Sequence, residues 1–452
     1  MTKDMTNGSP FRQILLFSIP VLLGNLFQQF YSMVDTIIVG QFLGEDALAA
    51  VGATGSIMFL VLGFAMGFSQ GFGIMVAQAF GAKDEKRLKH VVALSFMLSI
   101  LISVVLTVIT VTVSRRLLIL MNTPDNILDM ANSYITVIYC GIIASMFYNI
   151  SAAILRGVGD SKTPLYFLIF SSALNIGLDL FCIVTLQLGV AGAAYATVIS
   201  QGISAILCLI YMNKKFTILR TSRADYYMDG HTIASMMKLG IPMALNYSLI
   251  AVGTITLQSA VNIFGSSAVA AFTAASKVEQ ISTQSMPALG TTMSTYCGQN
   301  LGAGKYDRIA SGMRKAFLIA MGTVALAAFI CVVLGRPIVS LFLKEPSETV
   351  YDYATQYLNT ISCFFFFLAL IFLYRTALQG LGKSLMPMFS GIFEMICRVV
   401  VVWLLLKPYG YWAVRLASPV AWIGAGIPLM VTYYLWIRKK CPRQPKQQPK
   451  NA

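Results

Sequence analysis

The sequence predicts an all-α membrane protein, and three observations lead to that class. The chain of 452 residues is 57% hydrophobic, only 11% of it is Asp, Glu, Lys or Arg, and its mean hydropathy is +0.73. A water-soluble domain carries roughly 25% charged residues, so this chain lacks the polar side chains that a surface in water needs. Apolar runs such as 91–113 exceed the roughly 20 residues that a spanning helix requires, and they do not alternate as barrel strands do.

Apolar runs of spanning length predict twelve helices in two groups of six. The polar stretch 214–233 is predicted to be a cytoplasmic linker between a first bundle over 1–213 and a second over 234–437. A basic, Pro- and Gln-rich tail over 438–452 is predicted to be disordered. The predicted helices start near Phe11, Ala47, Leu88, Asp129, Thr163, Val190, Ala234, Ala268, Met313, Tyr351, Leu385 and Trp412.

The net charge of +15 reports topology and does not indicate a nucleic-acid partner. When the N-terminus is placed in the cytoplasm, 25 of the 33 Lys and Arg residues, among them Arg156 and Arg375, fall in cytoplasmic segments and six fall outside. Lys and Arg accumulate on the cytoplasmic side of membrane proteins, so both termini are predicted to be cytoplasmic. The protein is expected to cross the plasma (inner) membrane many times, without a cleavable signal peptide.

The two halves of the chain repeat each other at separations of 221–223 residues. Each half holds six predicted helices, an even number, so both halves enter the membrane from the same side. Two such bundles are related by a pseudo-two-fold axis along the membrane normal and enclose a cleft, an architecture typical of alternating-access transporters. The matched positions include Ile19-Pro20 with Ile241-Pro242, Gln78 with Gln299, and Gly157 with Gly380.

Proline and glycine within the spans predict local geometry. Pro20 and Pro242 lie inside the first helix of each half, where a missing backbone N–H favours a kink or hinge. Gly63, Gly67 and Gly71 form a stripe of small residues that predicts close helix packing.

Six charged residues fall within predicted spans, and each needs a reason because a charge in the bilayer is costly. Glu394 and Arg398 are four residues apart and can form an ion pair on one helical face, either as an internal neutral pair or as a polar part of the cleft in the second bundle. Lys277 and Glu279 are two apart and cannot face each other, so each needs another partner or water.

Asp35 and Asp179 differ from the other four charged residues, because no basic residue lies within one helical turn of either acid. Asn175 shares a helical face with Asp179, and Thr197 lies in a run of small residues that permits close helix approach. If these helices converge, two carboxylates, an amide and a hydroxyl form an all-oxygen site that suits a hard cation, and the two acids could also exchange a proton. The alternative is a pair of buried acids that are only hydrogen-bonded.

Enzyme chemistry is not predicted. Gly382-Lys383-Ser384 resembles the end of a P-loop, but Ala377 stands where that motif requires glycine, and a membrane helix precedes it instead of a strand. The eight cysteines form no CxxC pair, so they are expected to be single core thiols.

Together these features resemble the multidrug and toxic compound extrusion (MATE) family, in its bacterial branch, from about Phe11 to Ile437. Each motif is short, and their combination in this order makes the resemblance specific. The residues that carry it are Ile19-Pro20 with Val34-Asp35-Thr36, Gly81-Ala82 and Gly302-Ala303, Arg156-Gly157 with Gly159-Asp160 and Pro164, Asn175 with Asp179, and Gln379-Gly380 with Gly382 and Pro387.

The resemblance implies an antiporter that exports amphipathic, often cationic organic compounds in exchange for Na⁺ or H⁺, with no cofactor besides the coupling ion. It implies that Asp35, Asn175, Asp179 and Thr197 hold that ion and that Pro20 bends the first helix as the site titrates. Glu394 and Arg398 match a pair found in relatives. The expected partners are small organic substrates and membrane lipids, and the protein is expected to be monomeric.

The alternative transporter is a lipid-linked oligosaccharide flippase of the same broader superfamily. Flippases tend to have more than twelve helices and a strongly basic central cavity, whereas the predicted spans here contain only Lys277 and Arg398 as basic residues. An intramembrane enzyme would need a cluster of catalytic residues at one depth, and the sequence does not indicate one.

Overall fold

The computed structural model describes residues 4–342 and 347–441, and these are almost entirely helical. The first half, which we call the N-lobe, contains seven α-helices, and a π-helical turn over Phe181–Thr185 follows the sixth. Their bounds are α1 (Pro10–Leu43), α2 (Glu45–Gly81), α3 (Glu85–Leu120), α4 (Asp125–Cys140), α5 (Ile142–Gly157), α6 (Lys162–Leu180) and α7 (Val190–Lys215).

The second half, the C-lobe, begins after a connection that carries two short 3₁₀-helices, Thr217–Leu219 and Arg223–Asp225. Its nine helices are α8 (Gly230–Asn262), α9 (Ser266–Thr283), α10 (Ser285–Gly302), α11 (Tyr306–Val333), α12 (Gly335–Phe342), α13 (Glu348–Ser362), α14 (Phe365–Gly380), α15 (Leu385–Tyr409) and α16 (Trp412–Lys440). The last helix therefore includes the start of the predicted tail, and 442–452 lie outside the described residues, as does Lys344.

Helix bounds follow the sequence repeat. α2 and the pair α9–α10 begin and end 221 residues apart, and the pair α4–α5 matches the pair α13–α14 at a separation of 223. The turns repeat as well: Gly44 and Gly265 connect the first two spans of each lobe at φ of +87° and +85°, a conformation that favours glycine. The predicted arrangement of twelve helices in two six-helix bundles is therefore confirmed.

Nine helices of the described chain are long and apolar enough to cross a membrane on their own, and two bent pairs raise that number to eleven. The twelfth predicted span corresponds to α9–α10, which contains Lys277 and Glu279 and is less apolar. The start predicted at Met313 is wrong by about two turns, because α11 begins at Tyr306 with polar and basic residues that hydropathy does not assign to a span.

Two spans are broken at equivalent places in the lobes. α4 and α5 meet at 47°, and α13 and α14 meet at 53°. At the first break a Cβ on Gly141 would lie 2.2 Å from the Val198 side chain, so glycine is required there. By contrast, Pro20 and Pro242 lie within helices that continue past them, α1 and α8.

The lobes pack closely where α2 crosses α8. A Cβ on Gly67 would lie 2.5 Å from Cα of Ala244, and one on Gly71 would lie 2.8 Å from Cα of Gly240. No side chain fits between the backbones at either position. The close packing predicted from the glycine stripe is confirmed.

A second contact joins the lobes at the end where α2, α5, α10 and α14 terminate, which we call the closed end. Gln78 of the N-lobe donates a hydrogen bond from Nε2 to the carbonyl oxygen of Gly380 at 3.0 Å. Gln299, its repeat equivalent, donates to the carbonyl oxygen of Gly157 at 2.8 Å. This reciprocal pair, the glutamine latch, ties each lobe to the other. Met5 strengthens it because its backbone N–H donates to Oε1 of Gln299 at 2.8 Å.

Candidate cation site and interlobe cleft

The structure brings together the four residues that the sequence nominated in the N-lobe. Asp35 lies on α1, Asn175 and Asp179 lie on α6, and Thr197 lies on α7. Asn175 and Asp179 are fully buried, with exposed fractions of 1% and 0%. The carboxyl groups of Asp35 and Asp179 face each other across the contact between α1 and α6.

Asn175 connects two of these helices. In the orientation that satisfies its hydrogen bonds, the amide donates to Oδ2 of Asp179 at 2.8 Å and accepts from the backbone N–H of Thr197 at 3.1 Å. The amide therefore fixes the Asp179 carboxyl against α7. The small residues that precede Thr197, among them Gly192, Ala193 and Ala194, are buried and allow α7 to approach.

Two carboxylate oxygens in this site remain without a partner. Oδ1 of Asp35 and Oδ1 of Asp179 are buried and make no hydrogen bond to any other described residue. A buried oxygen without a partner is costly, and a monovalent cation or a proton would satisfy it. The donor set of two carboxylates, an amide and a hydroxyl fits a hard cation. Among the described residues, no group of three or more His, Cys, Asp or Glu side chains is placed to hold a metal ion.

Two tyrosines belong to this site and were missed by the sequence analysis. Tyr31 lies one turn before Asp35 on α1 and close to Thr197, and Tyr134 of α4 lies near both acids with 4% of its surface exposed. The spacing of four residues from Asp35 could have indicated Tyr31. Tyr134 is detectable only through the repeat, since its equivalent is Tyr357, which contacts a buried acid in the C-lobe.

The C-lobe holds a charged network on α14 and α15. Glu394 of α15 accepts from Arg398 at 3.3 Å through Oε1 and from Arg375 of α14 at 2.7 Å through Oε2. Tyr357 donates its hydroxyl to Oε2 of Glu279 at 2.9 Å. Arg398 also lies near Glu279 but forms no ion pair with it within 4.0 Å, so the ion-paired part of the network consists of Glu394, Arg375 and Arg398. Gly253 leaves space for Nη1 of Arg398, which would be 2.7 Å from a Cβ there.

One sequence assignment in this lobe needs correction. Arg375 was assigned to a cytoplasmic segment, but it lies within α14 and is 6% exposed, because its ion pair with Glu394 makes burial possible. The grouping of Lys277 with the polar residues of the C-lobe cleft stays a prediction, because its side chain is exposed on α9 and forms no ion pair with a described acid. One helical turn cannot direct both Lys277 and Glu279 inward because they are two residues apart.

A cavity of about 130 Å³ lies between the lobes, on the inner side of the glutamine latch. Four N-lobe helices and two C-lobe helices line it. Pro20 faces it from α1, whereas Pro242 does not line it. Its wall carries amides and hydroxyls together with apolar side chains, so it suits a molecule that has both polar and apolar parts.

Two repeated six-helix bundles, an interlobe cavity and an intramembrane pair of acids define a membrane transporter of the two-lobed type. The MatE family model matches residues 20–181 and 242–404, one copy in each lobe, and the chain belongs to this family. The family predicted from the sequence is therefore confirmed.

Known relatives cover nearly the whole chain. A probable multidrug resistance protein, YoeA of Bacillus subtilis, is 31% identical over 97% of this chain and 96% of its own length. A second probable multidrug resistance protein of that organism, YpnP, is 29% identical over 90% of this chain and 89% of its own. A crystal structure of a MATE protein in complex with MaL6 superposes with a TM-score of 0.91 at 22% identity, covering 98% of this chain and all of that one.

Proposed function

We propose that this protein is a cation-coupled antiporter that exports small amphipathic organic compounds by alternating access. The observation that carries the proposal is the N-lobe site, where Asp35 and Asp179 present unpartnered carboxylate oxygens beside an amide and a hydroxyl. The names of the two Bacillus subtilis relatives support export of drug-like compounds. Na⁺ and H⁺ both suit carboxylates, so either ion fits the site.

We propose that the coupling cation acts by changing which conformation of the protein is favoured. A cation at Asp35 and Asp179 replaces the repulsion of two acids with attraction, and this favours the arrangement of α1 and α6 that brings them together. Pro20 lies on the same helix as Asp35 and also faces the interlobe cavity. A change in α1 at the ion site therefore alters the cavity, which links ion binding to substrate release.

The glutamine latch supplies the second conformational element. It holds the lobes together at one end, so opening there requires the loss of two reciprocal hydrogen bonds and the separation of α2 from α10. We propose that this end faces the cytoplasm, with both termini on that side of the plasma (inner) membrane. The excess of Lys and Arg in the segments on that side supports this orientation. The bundles 1–213 and 234–437 move as units about the linker 214–233, in a monomer.

The test is dye efflux from proteoliposomes under separately imposed Na⁺ and H⁺ gradients. Asp35→Asn and Asp179→Asn keep the shape of the site but remove one charge each, and we expect either to abolish gradient-driven efflux of an amphipathic dye. Asp129→Asn, an exposed acid of the same lobe, is the matched control and should leave efflux unchanged. Efflux that persists under both gradients in both site variants would show that the acids do not couple transport.

A further inference from the structure

A second cavity, of about 870 Å³, lies at the closed end and is separate from the interlobe cavity. Three parts of the chain line it: residues 6–8 ahead of α1, residues 304–308 at the start of α11, and residues 440–441 at the end of α16. Asn7 and Lys440 are exposed, so the cavity opens to the surface. A molecule bound there would contact three segments that are far apart in the sequence.

The lining of this cavity carries more positive than negative charge. Lys305, Arg308 and Lys440 line it together with one acid, Asp307. No carboxylate oxygen of residues 4–342 or 347–441 lies within 4.0 Å of any of the three cations, although four ion pairs form elsewhere in those ranges. The ranges 1–3 and 442–452, outside the described residues, contain no Asp or Glu in the sequence. The lining is therefore cationic.

Lys305 and Arg308 hold the segment that precedes α1, and each keeps a donor for a ligand. Arg308 donates to the carbonyl oxygens of Met5 and Gly8 at 3.1 and 2.8 Å, and two further bonds go to side-chain amides. Lys305 donates to two oxygens of residues 6–7, at 2.8 and 3.0 Å. A guanidinium has five N–H groups and an ammonium has three, so one N–H of each residue remains for a ligand.

Lys440 has the weakest contacts of the three cations. Its ammonium lies 5.5 Å from the centre of the Tyr306 ring and donates no hydrogen bond to the described residues. The Tyr306 ring packs against Trp436, with the ring centres 6.1 Å apart. Tyrosine and tryptophan are enriched at the boundary between lipid tails and water, so this pair marks that boundary beside the cavity.

The depth of the cavity fits the layer of lipid headgroups. α11 begins at Tyr306, and the apolar run within it begins near Met313, about 10 Å further along the helix. The hydrocarbon core is about 30 Å thick and the whole bilayer about 40–45 Å, so each headgroup layer extends about 5–8 Å. Residues 305–308 therefore lie at the level of the lipid phosphates or just outside it.

The accumulation of Lys and Arg on one side of the membrane explains basic residues at this end, but it does not gather them around a cavity. The internal repeat provides a comparison. At the start of α3, Asp84 and Glu85 occupy the positions that Lys305 and Tyr306 occupy in α11, and Asp84 accepts from the N–H of Arg87 at 2.9 Å. The same turn in the N-lobe thus includes two acids. The excess of cations in the C-lobe is not required by the fold.

We infer that this cavity binds the phosphodiester headgroup of an anionic membrane lipid, with Lys305, Arg308 and Lys440 as donors. Basic pockets between membrane helices on the cytoplasmic side bind such headgroups. Two of these cations hold the segment before α1, and Met5 of that segment donates to Gln299 of the glutamine latch. A bound headgroup therefore reinforces the closed end. The inference takes the orientation of this end from the proposed function, but it needs neither cation coupling nor a particular substrate.

The test measures lipid binding by native mass spectrometry, with the full-length protein purified in detergent without added lipid. The probes are dioctanoyl phosphatidylglycerol and dioctanoyl phosphatidylcholine, which share their chains and their phosphate but differ in net charge. We expect phosphatidylglycerol to bind at least about tenfold more tightly, because each Lys or Arg beside an anionic lipid contributes about a factor of five. Inorganic phosphate, the third probe, should compete only weakly because it lacks the acyl chains.

Variants of the cavity locate the site. Lys440→Gln should weaken phosphatidylglycerol binding about fivefold, and the double variant Lys305→Gln with Lys440→Gln should weaken it further. Lys440→Gln removes no hydrogen bond of the described chain, so this variant is expected to fold. Lys440→Arg keeps the charge and should retain the affinity. The matched control is Lys86→Gln with Lys89→Gln at the start of α3, which should keep the preference for phosphatidylglycerol.

Two results would overturn the inference. One is equal binding of the two lipids by the wild-type protein, including the case in which inorganic phosphate binds without any preference between the lipids. The other is an unchanged preference in Lys440→Gln and in the double variant. Detergent solution contains no ion gradient and no sidedness. The dye-efflux test of Asp35 and Asp179 therefore remains valid if this inference fails, and the reverse also holds.

Discussion

The two lobes place different chemistry on the same scaffold. In the N-lobe, Asp35 and Asp179 have no basic partner and leave two carboxylate oxygens unsatisfied. In the C-lobe, Glu394 forms ion pairs with both Arg375 and Arg398, and Glu279 accepts a hydrogen bond from the Tyr357 hydroxyl. The acids of the N-lobe leave oxygens that an ion can bind, whereas each acid of the C-lobe network already has a partner in the protein.

Repeat-equivalent positions show where the polar residues of the two lobes agree and where they differ. Asn175 of the N-lobe corresponds to Arg398, and Tyr134 corresponds to Tyr357. The tyrosine beside a buried acid is therefore common to both lobes, whereas the amide of one lobe is a guanidinium in the other. The acids themselves do not correspond, because Asp179 aligns with Val402 and Glu394 aligns with Ser171. The two lobes therefore share their helices but place their charges at different positions.

The largest difference in stability is expected between variants that neutralise one acid in each lobe. Glu394→Gln leaves two buried arginines without their shared carboxylate and should cost about 3–5 kcal/mol of stability. Asp179→Asn removes one of two repelling acids, so we expect it to change stability by less than about 1 kcal/mol, or to increase it. Thermal unfolding in detergent would measure both, and equal destabilisation would mean that the two lobes are alike.

The fit of Arg398 provides a second comparison. Gly253→Ala would place a methyl group 2.7 Å from Nη1 of Arg398, and the resulting shift of the network should cost about 1–3 kcal/mol. Gly322 of α11 has no atom within 4 Å of an added Cβ, so Gly322→Ala is the control and should be neutral or stabilising. A neutral Gly253→Ala variant would show that the guanidinium is not held in place.

Substitutions in the glutamine latch test the contact between the two lobes. Gln299→Ala removes the bonds to Gly157 and Met5, whereas Gln78→Ala removes one bond, to Gly380. With about 1 kcal/mol for each hydrogen bond, the closed end should open more often in Gln299→Ala than in Gln78→Ala. Distances between spin labels at the ends of α2 and α10 in the closed end would report this, and the reverse order would exclude the role given to Met5.

The smallest effect is expected at an exposed pair that both lobes share. Arg115 and Asp129 form an ion pair in the N-lobe, and Arg336 and Glu348 form one in the C-lobe. The acids are 82% and 77% exposed, so water screens both pairs. Asp129→Asn and Glu348→Gln should each change the unfolding free energy by less than about 0.5 kcal/mol. A larger loss of unfolding free energy in one of these variants would mean that the exposed ion pair stabilises that lobe.

The sequence predicts much of the fold, because apolar length and the internal repeat determine it. Eleven of the twelve helix starts lie within about one turn of the observed ones, and the exception, at Met313, is a helix that begins with polar residues outside the apolar run. The breaks near Gly141 and Cys363 were not predicted. They depend on tertiary contacts, such as that of Gly141 with Val198, which a hydropathy pattern does not contain.

The site was predicted where a residue was conspicuous by its chemistry. An acid in an apolar span is costly, so Asp35 and Asp179 were identifiable from the sequence alone. Tyr134 is not conspicuous, because a tyrosine in a membrane helix is ordinary. Arg375 and Arg156 were assigned to cytoplasmic segments because they lie near helix ends, and only the packing of the helices shows that one is buried against Glu394 and the other faces the cavity.

The most direct test of the central claim measures cation uptake driven by an outward dye gradient in proteoliposomes, for acid variants of both lobes. We predict that Asp179→Asn abolishes uptake of the coupling cation, whereas Glu279→Gln of the C-lobe retains it. Retained uptake in Asp179→Asn together with its loss in Glu279→Gln would contradict the account and place coupling in the C-lobe.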